Sequence, residues 1–129
     1  MSGDPGAVVR SYWERVWNEQ DLDALDEVVA EHHLRHNAGG NLLRSRRAVR
    51  EDMDRYLGAL AEARVVIDEQ AVSGDTVWTR LTLRAVYRES EEVVVLSWLH
   101  AARVVDGRIA EAWHLNAPVD WSARPEHRD

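Results

Sequence analysis

The hydrophobic period of this chain changes once, near Arg64, and that change dictates the class of fold. Before it, apolar residues recur at helical spacing; after it, they alternate. Val9, Tyr12, Trp13, Val16 and Trp17 line one face of a first helix that runs to about Glu19, with Asp4 as its cap and Pro5 in its first turn. Asp21 is placed to cap a short second helix carrying Leu22, Leu25, Val28 and Val29. The stretch "HHLRHN" then reads as a short extended piece closed by Gly39 and Gly40. Ser45 opens a third helix whose stripe is Val49, Met53, Tyr56, Leu57 and Leu60. Strands follow at about 64–72, 76–88, 92–105 and 108–117, separated by the turns "SGD", "RESEE" and "VDGR". The Asp-Gly of the last turn is a hairpin signal. Helices followed by an antiparallel meander define a single α+β domain, 1–129, in which a curved sheet packs its inner face on the helices. Residues 118–129 show no periodicity and are expected to form a partly ordered tail, with Trp121 able to dock.

Composition excludes several kinds of chemistry. The chain has no cysteine, so disulfides, thiolate metal sites and cysteine nucleophiles are out of reach. All 16 basic residues are arginine, which removes lysine Schiff bases. No Gly-rich phosphate loop and no G-x-S-x-G elbow is present. A net charge of −7 argues against nucleic acid or an anionic membrane as partner, and the local "RSRR" at 44–47 reads as a solvated surface. The longest apolar run, Val93 to Ala102, is interrupted by Ser97 and His100 and is too short to span a bilayer. With no charged start followed by an apolar stretch, no signal peptide is expected, and the protein is expected in the cytoplasm. Polar catalysis would therefore rest on His, Asp, Glu, Tyr, Arg or water.

Alternation assigns the faces of two strands. In 92–105 the set Val94, Leu96, Trp98, His100, Ala102 and Val104 is apolar except for the histidine, so it should face inward and bury His100. In 76–88 the inner set is Val77, Thr79, Leu81, Leu83, Ala85 and Tyr87. Its outer set places Trp78 among Arg80, Thr82 and Arg84, which points to a homodimer through the outer sheet face. The last strand divides into Ile109, Glu111, Trp113 and Leu115 against Ala110, Ala112, His114 and Asn116, and periodicity leaves both assignments open. The first set is bulkier and suits a core; the second leaves room and suits the floor of a cavity.

Two stretches carry a family resemblance. "VRSYWERVWNEQDLDALDEVVAEHHLRH" and "HAARVVDGRIAEAWHLN" resemble the SnoaL-like polyketide cyclases of the NTF2-like superfamily. The opening signature W-N-x-x-D-x-x-A-L falls on Trp17, Asn18, Asp21, Ala24 and Leu25. The closing signature D-G-K-I-x-E-x-W falls on Asp106, Gly107, Arg108, Ile109, Glu111 and Trp113. The resemblance implies a cone-shaped barrel in which helices and a strongly curved antiparallel sheet enclose a pocket. It also implies cofactor-free and metal-free chemistry and a frequent dimer. Relatives close polyketide rings, isomerise ketosteroids or open epoxides, and others only bind ligands or proteins. An aspartate immediately after the closing Trp serves those cyclases as acid/base; here that position is His114. The resemblance places Ala110, Ala112, His114 and Asn116 toward the cavity.

These readings give a set of candidate residues. His114 and His100, roughly opposite one another on neighbouring strands, are the acid/base pair, since imidazole near its ordinary pKa exchanges protons at neutral pH. His36 is a third pocket residue through the resemblance. Asn116, Tyr12, Tyr87 and Trp98 complete the wall around a hydrophobic, oxygenated small molecule. Asp68 could supply a carboxylate if it faced inward, and His33 is expected to be solvent-exposed. No metal site is expected: His32 and His36 on an extended segment lie about 13 Å apart at roughly 3.3 Å per residue. A small cofactor-independent enzyme and a non-catalytic binding or scaffold protein are both compatible with these features.

Overall fold

A computed structural model describes residues 4–117 and 119–128; the side chains of residues 116 and 117 lie outside that description. Helix α1 (Pro5–Ser11) starts where the Asp4 carboxylate accepts from the Gly6 N–H at 3.1 Å. It continues without a break into a π-helical segment, Tyr12–Asn18. The widened turn is visible in the Glu19 N–H, which donates to the Glu14 carbonyl five residues back at 3.0 Å. A 3₁₀ turn, Leu22–Ala24, leads into the short α2 (Leu25–Val28). Asp21 starts that turn through its backbone carbonyl, which accepts from Ala24 N–H, while its carboxylate pairs with Arg15. The expected side-chain cap is therefore not what forms there. Helix α3 (Arg46–Gly58) is capped by the Ser45 hydroxyl, which accepts from the Ala48 N–H at 3.1 Å.

Six strands follow the order β2-β1-β6-β5-β4-β3: β1 (Val29–Asn37), β2 (Gly40–Ser45), β3 (Leu60–Ser73), β4 (Thr76–Tyr87), β5 (Val93–Val105) and β6 (Arg108–Ala117). All neighbours are antiparallel except β1 and β6, which run parallel, so the sheet is mixed and not the purely antiparallel one expected. "HHLRHN" is the central part of β1, with β2 on one side and β6 on the other. The sheet is open and curled, and the three helices fill its concave side.

The α3 stripe buries Val49, Met53 and Leu57, but Tyr56 stays partly exposed and Leu60 already belongs to β3. Most inner residues of β4 and β5 behave as their alternation predicts: Val77, Leu81, Leu83, Trp98, Ala102 and Val104 are buried with Val9, Trp13, Val16 and Leu25. Val94 and Leu96, however, are only half-buried, and Tyr87, at the strand end, is exposed. Asn18 locks the π-helical segment onto the sheet. Its amide donates to the Val65 carbonyl at 2.8 Å, and its carbonyl accepts from the Val65 N–H at 2.7 Å. The second letter of the W-N signature is thus a side chain imitating a strand partner.

A β-bulge resolves the two readings of the last strand. Arg103 pairs with Glu111 but Val104 pairs with Ile109, so Ala110 is one residue too many on β6. The extra residue inverts the alternation. Ile109 is buried in the core, while beyond the bulge Ala112 is buried and Trp113 and Leu115 are exposed. Just before the bulge, the Asp106-Gly107 turn has both residues at positive φ, 52° and 77°, as a tight hairpin requires. After residue 118 the tail returns to the sheet: Ser97 N–H donates to the Val119 carbonyl at 2.9 Å, and Trp121 N–H donates to the Ser97 hydroxyl at 3.2 Å.

Candidate active site

Strand register builds the floor of the site. Thr79, His100 and His114 are direct neighbours across β4, β5 and β6, and the adjacent row joins Ala102, Ala112 and Arg35 across β5, β6 and β1. Ala112 lines a small chamber beside that second row, while Ala102 is buried in the core. The His100 and His114 rings meet edge to face, centroids 4.6 Å apart at 70°. Trp13 stands over His100 at 5.0 Å and 84° and also contacts Trp98 at 5.7 Å. Trp17 and Tyr56 extend this aromatic wall toward the mouth, 5.6 Å apart.

The resulting cavity measures about 580 Å³, a size that suits a small organic ligand. Its walls include Tyr12, Trp13, Trp17, Arg35, Trp98 and His114, with Asp52 and Arg55 also lining it. A small chamber beneath it is lined by His33, Arg35, His100 and His114 among others. Polar atoms accumulate here without partners. Trp13 Nε1, Trp17 Nε1, His33 Nδ1, Arg35 Nε, Thr79 Oγ1 and His100 Nδ1 are all buried and make no hydrogen bond. Buried polar groups in proteins are nearly always paired, so such a concentration marks a place built to receive something.

The electrostatics of the floor differ from the expectation of a histidine near its ordinary pKa. Burial, then the Arg35 charge, then His33 push His114 down to about 3. Burial, His114 and Arg35 hold His100 well below the ordinary range. His33 is pushed down to about 4 by burial and by the charges of Arg35 and Arg44. All three rings are neutral at physiological pH. Tyr12 is raised by burial and stays protonated.

The candidate residues separate into groups. His114, Tyr12 and Trp98 line the cavity. His100 is not among its lining residues; only 3% exposed, it sits one layer down, touching His114 and Trp13. The Asn116 backbone pairs with Trp98, which puts it on the row next to His114, but its side chain lies outside the described residues. Tyr87 ends β4 opposite Leu60, is 37% exposed and does not line the cavity.

His36 is on the opposite face of the sheet from the one expected. It pairs in register with Trp113, stacks on its indole at 5.1 Å, and bonds Glu111 through Nε2 at 2.7 Å and Asn41 through Nδ1 at 2.5 Å. Those two contacts, Asn41 first, raise its pKa. Asp68 is likewise exposed and accepts from the Thr82 hydroxyl at 2.6 Å, so it gives the cavity no carboxylate.

Sequence reasoning missed Arg35 and His33. Both lie on the inner face of β1, and His33 is buried at 7% exposure instead of solvent-exposed. Their shared parity was visible, but a strand polar on both faces gives no internal sign of which face is inward. Among the described residues no group of three or more His, Asp or Glu is arranged to hold a metal ion. No helix among them is long and apolar enough to cross a membrane.

Comparison with known proteins agrees with this geometry. IdmH from Streptomyces antibioticus superimposes with a TM-score of 0.77 at 21% identity, over 88% of this chain and 92% of that one. A SnoaL-like polyketide cyclase from Agrobacterium tumefaciens gives 0.77 at 11% identity, over 89% and 92%. An LEH-like epoxide hydrolase from M. tuberculosis gives 0.74 at 21%, over 88% and 82%. No curated protein matches the chain. The model of the SnoaL-like domain matches residues 9–112, the span from α1 to the inner alanine of β6. With this match and the curled sheet closed over its concave side by helices, the chain belongs to the SnoaL-like domain family, within the NTF2-like fold.

Proposed function

We propose that this protein is a cofactor-independent enzyme that moves a proton on a hydrophobic, oxygenated small molecule of a biosynthetic pathway. The reaction would be a cyclisation, isomerisation or epoxide opening. The observation that carries the reading is His114: a neutral imidazole that lines both the main cavity and the small chamber beneath it. A neutral imidazole accepts a proton and returns it to the product, so the base is regenerated. In an epoxide opening the proton comes from a water or substrate hydroxyl that adds to the ring carbon, and it goes to the ring oxygen. His100 acts as a positioning residue, packing against the His114 ring from behind. The aromatic walls favour a flat ligand with oxygen substituents that can use the free indole N–H groups. Structural relatives named as a polyketide cyclase and an epoxide hydrolase support this range of reactions.

The test is His114→Gln assayed on a panel of polyketide-like ketones and epoxides. The expected result is a loss of turnover of about 10²- to 10⁴-fold with ligand binding retained. Turnover at the wild-type level would overturn the proposal.

A second reading has its own support: a histidine held near 3 is a weak base, and the cavity wall carries no free carboxylate, since Asp52 is engaged by Arg44 and Arg55. On that reading the protein binds its ligand without transforming it. Thermal stabilisation by a metabolite that is recovered unchanged after prolonged incubation would favour it.

The outer sheet face suits a second copy of the chain. Trp78, Leu99, Trp113 and Leu115 are exposed there around a hollow of about 610 Å³ floored by Ala101. Light scattering should give the mass of a dimer for the wild type and of a monomer for Trp78→Glu. A monomeric wild type would remove this reading.

A further inference from the structure

Arg35 is a cation inside the cavity with nothing to balance it. Arg35 lines both the main cavity and the chamber beneath it, together with Tyr12 and His114. Its Nε is buried and unpartnered, and it enters no ion pair among the described residues. Each acid that might have served is occupied elsewhere. Asp52, at the mouth, is held by Arg44 and Arg55, and Glu111 is on the outer face between His36 and Arg103. The surrounding histidines are neutral and add no negative charge. Arg35 is half-buried with its Nε shielded from solvent, and a partly desolvated guanidinium without a counter-charge favours a ligand that supplies the missing charge. The planar fork of the guanidinium matches a carboxylate in both geometry and charge.

We infer that the ligand of this cavity is a flat aromatic or polyenic molecule bearing an anionic oxygen, and that Arg35 is the residue that receives it. The inference rests on the reading that the cavity is the ligand site, and it deepens that reading by naming the substrate class. The aromatic wall of Trp13, Trp17 and Trp98 takes the flat body while Arg35, at the floor, takes the charged end. An anion at Arg35 also cancels the positive charge that, after burial, does most to hold His114 down. The correct substrate would therefore make the His114 imidazole a better base on arrival.

Isothermal titration with 2-naphthoate and its uncharged isostere 2-naphthamide tests this at neutral pH. Wild-type protein should bind the naphthoate about tenfold or more tightly than the amide, as expected for a charge-assisted bidentate contact. Arg35→Gln should erase that preference and leave amide affinity unchanged, while Arg47→Gln, on the exposed side of α3 and outside the cavity lining, should preserve it. Should Arg35→Gln fail to fold, Arg35→Lys carries the test, because an ammonium keeps the charge but loses the fork. Naphthoate should then weaken relative to wild type and the amide should not. Equal binding of the two probes by wild type would overturn the inference while leaving the cavity reading intact, as would a preference that survives Arg35→Gln. If neither probe binds, the cavity reading itself falls, and this inference with it.

Discussion

His100 and His114 are direct partners across the β5–β6 pair, their rings 4.6 Å apart, and both are kept neutral by burial and by the nearby Arg35. Two histidines in this relationship cannot both be protonated without placing like charges together beside a third. The pair is thus a device for keeping a basic nitrogen unprotonated in a closed space. It is not an acid and a base balanced around neutrality.

Stability should fall on mild acidification. The folded-state pKa values of His33, His100 and His114 are depressed below the ordinary 6.5. The unfolded chain therefore binds protons before the folded one does, and stability is complete above about pH 6.5 and is lost as the pH falls toward 4. Each of the pair, the buried His100 and the half-buried His114, contributes a slope of up to about 1.4 kcal/mol per pH unit in that window. Urea unfolding at pH 7, 6 and 5 measures this, and His100→Gln should flatten the dependence. The same free energy at all three pH values would contradict it.

His36 should titrate in the opposite sense. Its contacts with Asn41 and Glu111 raise its pKa, so its contribution to stability is present below about pH 6.5 and disappears as the pH rises through the folded-state value. Imidazole resonances followed by NMR should show His36 with a midpoint above the usual value. Those of His100 and His114 should stay neutral down to the pH of unfolding. Glu111→Gln should lower the His36 midpoint.

If His114 is the base, the acid limb of turnover should not appear near 6.5. With His114 pushed to about 3, the rate should hold down to the onset of acid unfolding. A binding partner for Arg35 would shift the limb upward. A pH–rate profile of any substrate found reads this directly, and a midpoint near 6.5 with a neutral substrate would refute the assignment.

Asn18→Ala should destabilise the helical wall of the cavity more than an ordinary polar substitution. It removes two hydrogen bonds at once and leaves the Val65 N–H and carbonyl without partners. A loss of about 1–3 kcal/mol is expected. Ligand affinity should weaken too, since Trp17, the adjacent residue, lines the cavity. A variant as stable as wild type in urea would mean that the clamp does not contribute.

Local patterns determined a good deal of this protein. The change of period near Arg64 is enough to predict the four-strand run β3–β6, because helical and extended backbones impose different spacings on any residue that must reach a core. It does not show that β1 and β2 precede α3. Alternation identified most inner residues of β4 and β5, since each of those strands has one plainly apolar face, but it misplaced Tyr87 and gave no sign that the outer-face Thr82, Ser97 and Ala101 are buried. The D-G turn needed only the positive φ that its two residues tolerate.

What tertiary structure decided was the orientation of strands polar on both sides. In β1, His33 and Arg35 face inward and His36 outward, because β1 is inserted in parallel beside β6, and that pairing depends on residues some 75 positions away. In β6 the single extra residue Ala110 lets Ile109 belong to the core and His114 to the cavity, which no strict alternation permits. The sequence therefore determined which residues could share a face. The long-range pairings decided which face closed over the cavity, and with it the company His114 keeps.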